Sequence, residues 1–295
     1  MQQFFQQVVA GLADGSVYGS LALALVLIYR ATHIINFAQG EMGMFSTYIL
    51  WALVTHHGMS YWPAFALVLA ISFVGGVGVH RAVIRPLERA PELTVVMATI
   101  ALLVVFNGLS SWIWGPDEKI VPSPFPNDTW DVGGVKISQQ SVGVIGITLG
   151  CVFLLWLFFQ FTKVGLALRA SAINPQASRV LGVRVSWMLA LGWGLAAILS
   201  AIAGMMAASS FYVFTPSYMQ GVLIYAFAAA VLGGLESPIG AIVGGLALGV
   251  TVDLLGHYVA WIGSALQLPV ALAALLVILL VRPGGLFGRV AVRRV

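Results

Sequence analysis

Residues Lys163–Arg184, KVGLALRASAINPQASRVLGVR, form a basic island between two long apolar runs. Lys163, Arg169, Arg179 and Arg184 lie in it, with no acidic residue. Within it, Asn174-Pro175 predicts a helix start. Asn caps free N–H groups, and Pro at the first helical position sacrifices no hydrogen bond. Gly182 predicts the stop, because glycine accepts the left-handed conformation that ends a helix. The spacing leaves a helix of about two turns, roughly 10 Å at ~1.5 Å per residue. Ala177, Val180 and Leu181 share one face, while Gln176 and Arg179 point elsewhere. A short amphipathic helix at a membrane surface, flanked by arginines, suits docking into a groove of another protein. The alternative reading is an ordinary positively charged loop.

The apolar runs on either side set the class. Of 295 residues, 60% are hydrophobic and 8% charged, with a mean hydropathy of +0.99. Soluble domains carry about 25% charged residues. The composition therefore predicts an all-α, polytopic transmembrane bundle spanning 1–295 as a single domain, because backbone groups in lipid must be satisfied within their own segment. The net charge of +4 reflects arginines gathered on one side of the bilayer rather than a nucleic-acid partner. The single cysteine, Cys151, excludes an intramolecular disulfide. The start, MQQFFQQVVA, lacks the positive region of a cleavable signal peptide.

Outward from the island, the runs read as spans over about Val8–Tyr29, Tyr61–Val79, Leu93–Trp112, Val142–Phe161, Trp187–Ala208 and Leu266–Val281. Asp14 is placed near the outer end of the first, and Asn107 in the fourth is an expected interhelical hydrogen-bonder. Two stretches break the pattern. Asn36, Phe37, Gln39, Gly40, Glu41 and Gly43 precede a run, Met44–Val54, too short to span alone. Asn36–Gly43 is read as an unwound or kinked part of the second span, with Glu41 needing a partner, a proton or water. The alternative puts Glu41 at the interface as a cap. Similarly Gly233–Gly240, GGLESPIG, divides the short runs Val222–Leu232 and Ala241–Leu255. A helix break with one glutamate in each half, Glu41 and Glu236, is a loose pointer to a transport pathway.

Arg81, Arg85 and Arg89 are read as a loop; with the island and the tail arginines Arg282, Arg289, Arg293 and Arg294, they fall on one side. Residues 114–140, rich in Pro and Gly and with only Lys119 and Lys136, fall on the other. Val132-Gly133-Gly134-Val135 there predicts a hairpin turn. The positive-inside rule puts the island, residues 163–186, and the C-terminus in the cytoplasm and the N-terminus outside. The count is about nine passes, or eight if one broken piece is re-entrant. No P-loop is present: the lysines Lys119, Lys136 and Lys163 follow Glu118, Val135 and Thr162, whereas the motif needs Gly before Lys. No zinc-protease, nucleophile-elbow or haem motif occurs either. The chain is thus expected to be no enzyme and to hold no metal or cofactor. A membrane gate with a docking helix but no engine implies a separate engine subunit, although a self-sufficient channel or secondary carrier remains a rival.

Taken together, GLADGSVYGSLALALVLIYRATHIINFAQGEM (residues 11–42), GLALRASAINPQASRVLGV (165–183), AAAVLGGLESPIGAIVGGLALGV (228–250) and VRPGGLFGR (281–289) resemble the permease subunits of branched-chain amino-acid ABC importers over nearly the whole chain. The resemblance implies a bacterial or archaeal inner-membrane protein that pairs with a second homologous permease, two cytoplasmic ATP-binding subunits and an extracytoplasmic solute-binding protein. It implies coupling to the ATPase through Arg169, Asn174, Pro175, Ala177, Arg179, Leu181 and Gly182. Asn36, Phe37, Gln39, Glu41, Gly233, Gly234, Glu236 and Ser237 are then expected near the translocation route, with helix packing as the alternative role for each. The expected solute is a branched-chain or related hydrophobic amino acid; similar permeases move urea, amides and other small solutes.

Overall fold

The computed structural model describes residues 2–88, 90–126, 128–132, 135–259, 263–282 and 284–287. Helices α1 (Gln2–Thr32), α2 (Gln39–Thr55), α3 (Tyr61–Val79) and α4 (Glu92–Trp114) lead to the short strands β1 (Lys119–Ile120), β2 (Thr129–Val132) and β3 (Val135–Ser138). Then follow α5 (Gln139–Phe161), α6 (Lys163–Ile173), α7 (Pro175–Val180) and α8 (Val185–Phe211). The strand β4 (Val213–Phe214) and helices α9 (Tyr218–Gly233), α10 (Pro238–Tyr258) and α11 (Gly263–Val281) complete the order. Among the described residues, six helical stretches are long and apolar enough to cross a membrane: α1, α3 with its extension to Leu87, α4, α5, α8 and α10. The chain is a multi-pass helical membrane protein. Helices dominate, as expected of an all-α bundle; the described residues add only short strand pairs, β1 with β4 and β2 with β3, both antiparallel. The strands share one end, where helical hydrogen bonding has stopped and pairing satisfies the exposed backbone.

The centre of the bundle is α1, whose most apolar window is largely enclosed by its neighbours. It packs antiparallel on α10 through glycines. A Cβ on Gly11 would lie 2.6 Å from the Val250 Cα, and one on Gly15 2.8 Å from the Leu246 Cα. Without a hydrophobic force between helices in lipid, such backbone proximity maximises dispersion contact. Asp14, expected at the outer end of the span, lies half-buried within this stretch of α1. The enclosed part of α8 packs against α1, α2 and α3.

Three expectations change. The break before α2 is shorter than Asn36–Gly43. Asn36 Oδ1 accepts from the Ala38 N–H (3.1 Å) and the Gln39 N–H reaches the Asn36 carbonyl (3.2 Å). The turn closes in three residues, so Gln39, Gly40, Glu41 and Gly43 are helical. The second break shrinks likewise from Gly233–Gly240 to Gly234–Ser237. Gly234 (φ 100°) turns the chain, the Gly240 N–H donates to Ser237 Oγ (3.0 Å), and Pro238 opens α10. Finally, Arg81 and Arg85 are in helical turns, not a loop. A π turn (His80–Ile84) and a 3-10 turn (Arg85–Leu87) extend α3, because Pro86 falls in the first turn of the latter.

The hairpin expected at Val132-Gly133-Gly134-Val135 is consistent with the pairing of Val132 with Val135; Gly133 and Gly134 themselves, like Arg89, Arg289, Arg293 and Arg294, lie outside the described residues. Asn107, expected to bond to another helix, instead donates to the Pro216 carbonyl in the link between β4 and α9, at 2.8 Å.

Candidate functional site

The basic island folds as two helices. Thr162 caps α6, its hydroxyl accepting from the Gly165 N–H at 2.9 Å. Asn174 caps α7, with Oδ1 accepting from the Ala177 N–H at 2.9 Å, and Pro175 takes the first helical position. At the other end Gly182 adopts φ 82°, and the Val183 N–H reaches back to the Ser178 carbonyl (3.0 Å). That bond across a left-handed glycine satisfies a carbonyl the helix leaves free. Only Ser178 of α7 is buried. Ala177 is exposed, and Val180 and Leu181 are 89% and 82% exposed. The apolar face read from the spacing therefore exists and has no neighbour among the described residues.

Beside this face lies a basin of about 300 Å³ lined by Arg81, Arg85, Arg179 and Arg184. The π turn after α3 carries Arg81 to it, and the 3-10 turn that follows carries Arg85. Arg81 is fixed there by stacking, its guanidinium carbon 3.5 Å from the centre of the Trp187 ring. Four arginines line the basin, with no acidic side chain among its described lining residues, next to two bare aliphatic side chains. That combination can grip a partner presenting an apolar groove edged by acids. Arg169 does not join it. Its Nη1 donates to Gln160 Oε1 of α5 at 3.0 Å.

The interior candidates divide in two. Asn36 and Gln39 are saturated by protein. Asn36 Nδ2 donates to Gln39 Oε1 (2.6 Å), and Gln39 Nε2 donates to the Ala196 carbonyl (3.0 Å) and Ser200 Oγ (2.5 Å) of α8. The Phe37 N–H meets Thr99 Oγ1 of α4 at 3.4 Å. These bonds pin the α1–α2 turn to α4 and α8. Glu41 differs: it is 1% exposed, and neither carboxylate oxygen has a hydrogen-bond partner among the described residues. The amides of Asn107 and Gln220 stand toward it at a geometry short of a hydrogen bond. The Tyr48 hydroxyl, also on α2, is buried and unpartnered as well. Tyr218 reaches Thr47 Oγ1 (2.8 Å) and the Gly204 carbonyl (3.0 Å). An unpaired buried carboxylate among amides and phenols is a polar patch inside an apolar bundle, and such groups mark functional routes more often than packing.

Gly233, Gly234, Glu236 and Ser237 lie elsewhere in the hydrogen-bond network. They form the tight α9–α10 turn, with Glu236 exposed. The Leu286 and Phe287 N–H groups bond the Leu232 and Gly233 carbonyls, so the chain after α11 lies along the end of α9. The two breaks are different in kind: one is an interior turn, the other a surface hairpin. Tyr48, Gln220 and Tyr218 were missed in the sequence. Tyr48 had a signal, since it follows Glu41 by seven and so shares its helix face; Gln220 and Tyr218 come from α9 and had none.

The family described as "Branched-chain amino acid transport system / permease component" matches residues 7–281. The permease protein BraD of a high-affinity branched-chain amino acid transport system, from Pseudomonas aeruginosa, is 31% identical over 99% of this chain and 98% of its own. The corresponding LivH of Escherichia coli is 29% identical with the same coverage. The fructose import permease protein FruF of Bifidobacterium longum is 27% identical over 60% of this chain and 49% of its own.

Proposed function

This chain belongs to the permease family of branched-chain amino acid transport systems, and from that premise we propose that it is the membrane-spanning subunit of an ATP-driven importer for branched-chain or related hydrophobic amino acids. The observation that carries the reading is α7: a doubly capped short helix that presents bare Val180 and Leu181 beside four uncompensated arginines. An ATP-binding subunit supplies the power stroke by gripping this surface, since the sequence offers no nucleotide loop of its own. The full assembly contains a second homologous permease, two ATP-binding subunits and an extracytoplasmic solute-binding protein.

In this reading the chain crosses the membrane nine times, through α1–α5 and α8–α11, with the N-terminus outside and the C-terminus in the cytoplasm. Two pairings support the parity. The β1–β4 pair joins the α4–α5 link to the end of α8, and the Leu286–Leu232 bond joins the end of α11 to the end of α9. Every cluster of arginines then shares the cytoplasmic end. Glu41, Asn107 and Gln220 are the polar patch we assign to the route. The name of the FruF relative favours a second reading, in which the same machine moves another small polar solute.

The test is reconstitution of the assembly in proteoliposomes with its binding protein. ATP-dependent accumulation of leucine is expected, and none in the absence of the ATP-binding subunits. Leucine entry catalysed by this chain alone, without ATP, would overturn the proposal in favour of a pore.

A further inference from the structure

A cleft of about 290 Å³ opens on the side of the bundle, between the ends of α1, α5, α6, α8 and α10. Its walls are apolar, including Leu27, Leu155, Leu189 and Ile242, and its polar lining includes Arg30 and Arg169. No acidic residue lines it. Leu23, Leu27 and Arg30 follow one another along a single face of α1, so the cleft runs roughly 10 Å from the arginine into the apolar part of the bundle. Ser171, 1% exposed, lines it with a hydroxyl that has no hydrogen-bond partner among the described residues, and the Arg169 Nε is likewise buried and unpartnered.

We infer that this cleft is a binding site for an anionic phospholipid. The layout matches the parts of such a molecule: cations and spare donors in the lining for a phosphate, and an aliphatic slot for an acyl chain. Basic pockets between transmembrane helices near the bilayer surface take acidic headgroups by the same chemistry. A zwitterionic lipid would fill the slot and offer the same phosphate, but its choline or ammonium group adds a positive charge beside both arginines. A peptide or a second copy of this chain would need to match two cations at the head of a narrow apolar slot. The inference requires only that the chain crosses a membrane, so it stands or falls apart from the identity of the transported solute. Because α6 forms one wall and leads directly into α7, the bound lipid sits beneath the docking surface.

The test is native mass spectrometry of the delipidated assembly titrated with phosphatidylglycerol and with phosphatidylcholine. Phosphatidylglycerol is expected to bind more tightly, and Arg30→Gln and Arg169→Gln each to weaken it roughly fivefold. Gly192→Leu probes the slot without touching charge. Gly192 lines the cleft, and a Cβ there meets no atom within 4 Å, so the leucine enters the cleft and excludes the chain of either lipid. A photo-crosslinking residue in place of Trp156, which also lines the cleft, is expected to capture phosphatidylglycerol. Equal binding of the two lipids overturns the inference. So does wild-type affinity in the arginine and Gly192 variants, or capture of a polypeptide at position 156. If a variant fails to assemble, the lipid contrast and the crosslink on otherwise native protein still decide.

Discussion

Replacing Asn174 by Ala and Gly182 by Val removes the two devices that hold α7 in shape. Losing an Asn cap costs about 1 kcal/mol. Placing a side chain with a Cβ at φ 82° costs roughly 1–2 kcal/mol. This cost is purely conformational, since a Cβ at Gly182 would meet nothing within 4 Å. The two sites share no hydrogen-bond partner, so the penalties add to about 2–3 kcal/mol. α7 has six residues and buries only Ser178; a helix this short is marginal by itself. The loss therefore passes into the fraction of molecules that present a formed helix. If the ATP-binding subunit grips only the formed helix, its affinity falls by the same factor, about 30- to 150-fold at 1.4 kcal/mol per tenfold. The assay is binding of that subunit to the permease held in nanodiscs, alongside leucine uptake. Asn174→Ser keeps a capping oxygen and should bind like wild type. Gly150→Ala, where a Cβ also meets open space, should do the same. Unchanged affinity in the double variant would refute the reasoning, as would a thermal stability that falls in step with binding, because the damage would then be global.

Leu181→Asp alters a side chain 82% exposed, so thermal stability should stay within about 0.5 kcal/mol of wild type while ATP-driven uptake is lost; scanning calorimetry and uptake separate the two. Gly15→Leu drives a side chain into the α10 backbone and should destabilise by at least about 1–3 kcal/mol, visible as a lowered midpoint in detergent. Gln39→Ala strips the bonds to Ala196 and Ser200 and strands buried Asn36, at a cost of about 1–3 kcal/mol by thermal unfolding. Glu41→Gln replaces a buried carboxyl that has no hydrogen-bond partner among the described residues with an amide of nearly the same shape. It should leave stability equal or higher yet change the KM for uptake, and a lowered unfolding midpoint would show that the carboxylate serves packing instead.

The island was legible because its instructions are local. Asn174, Pro175 and Gly182 act within a few residues of themselves, and the structure places the cap and the stop where those residue types require them. The length of the apolar runs likewise fixes helices whatever their neighbours. The breaks were harder, because polar residues in a row look the same whether they unwind a helix or begin one. Asn36 decides the matter through a side-chain bond to Ala38, and Gln39 through bonds to α8 about 160 residues away in the chain, which no local pattern encodes. The likeness of Glu41 to Glu236 was a likeness of spelling: one is enclosed by α4 and α9, the other stands in solvent on a hairpin. Arg81 and Arg85 were read as loop because they precede two prolines, but Pro86 sits where a helical turn tolerates it.

The stacking of Arg81 on Trp187 has a mechanical meaning. It clasps the tail of α3 to the head of α8, and lower down the same two helices are seated backbone to backbone, with Gly76 against the Trp193 carbonyl. A tug on the docking helix is thus delivered to a yoked pair rather than to one pliable rod. The yoke also bears the anchor points of Gln39, so whatever swings it must swing the start of α2, and with it the lone carboxylate, in the same stroke.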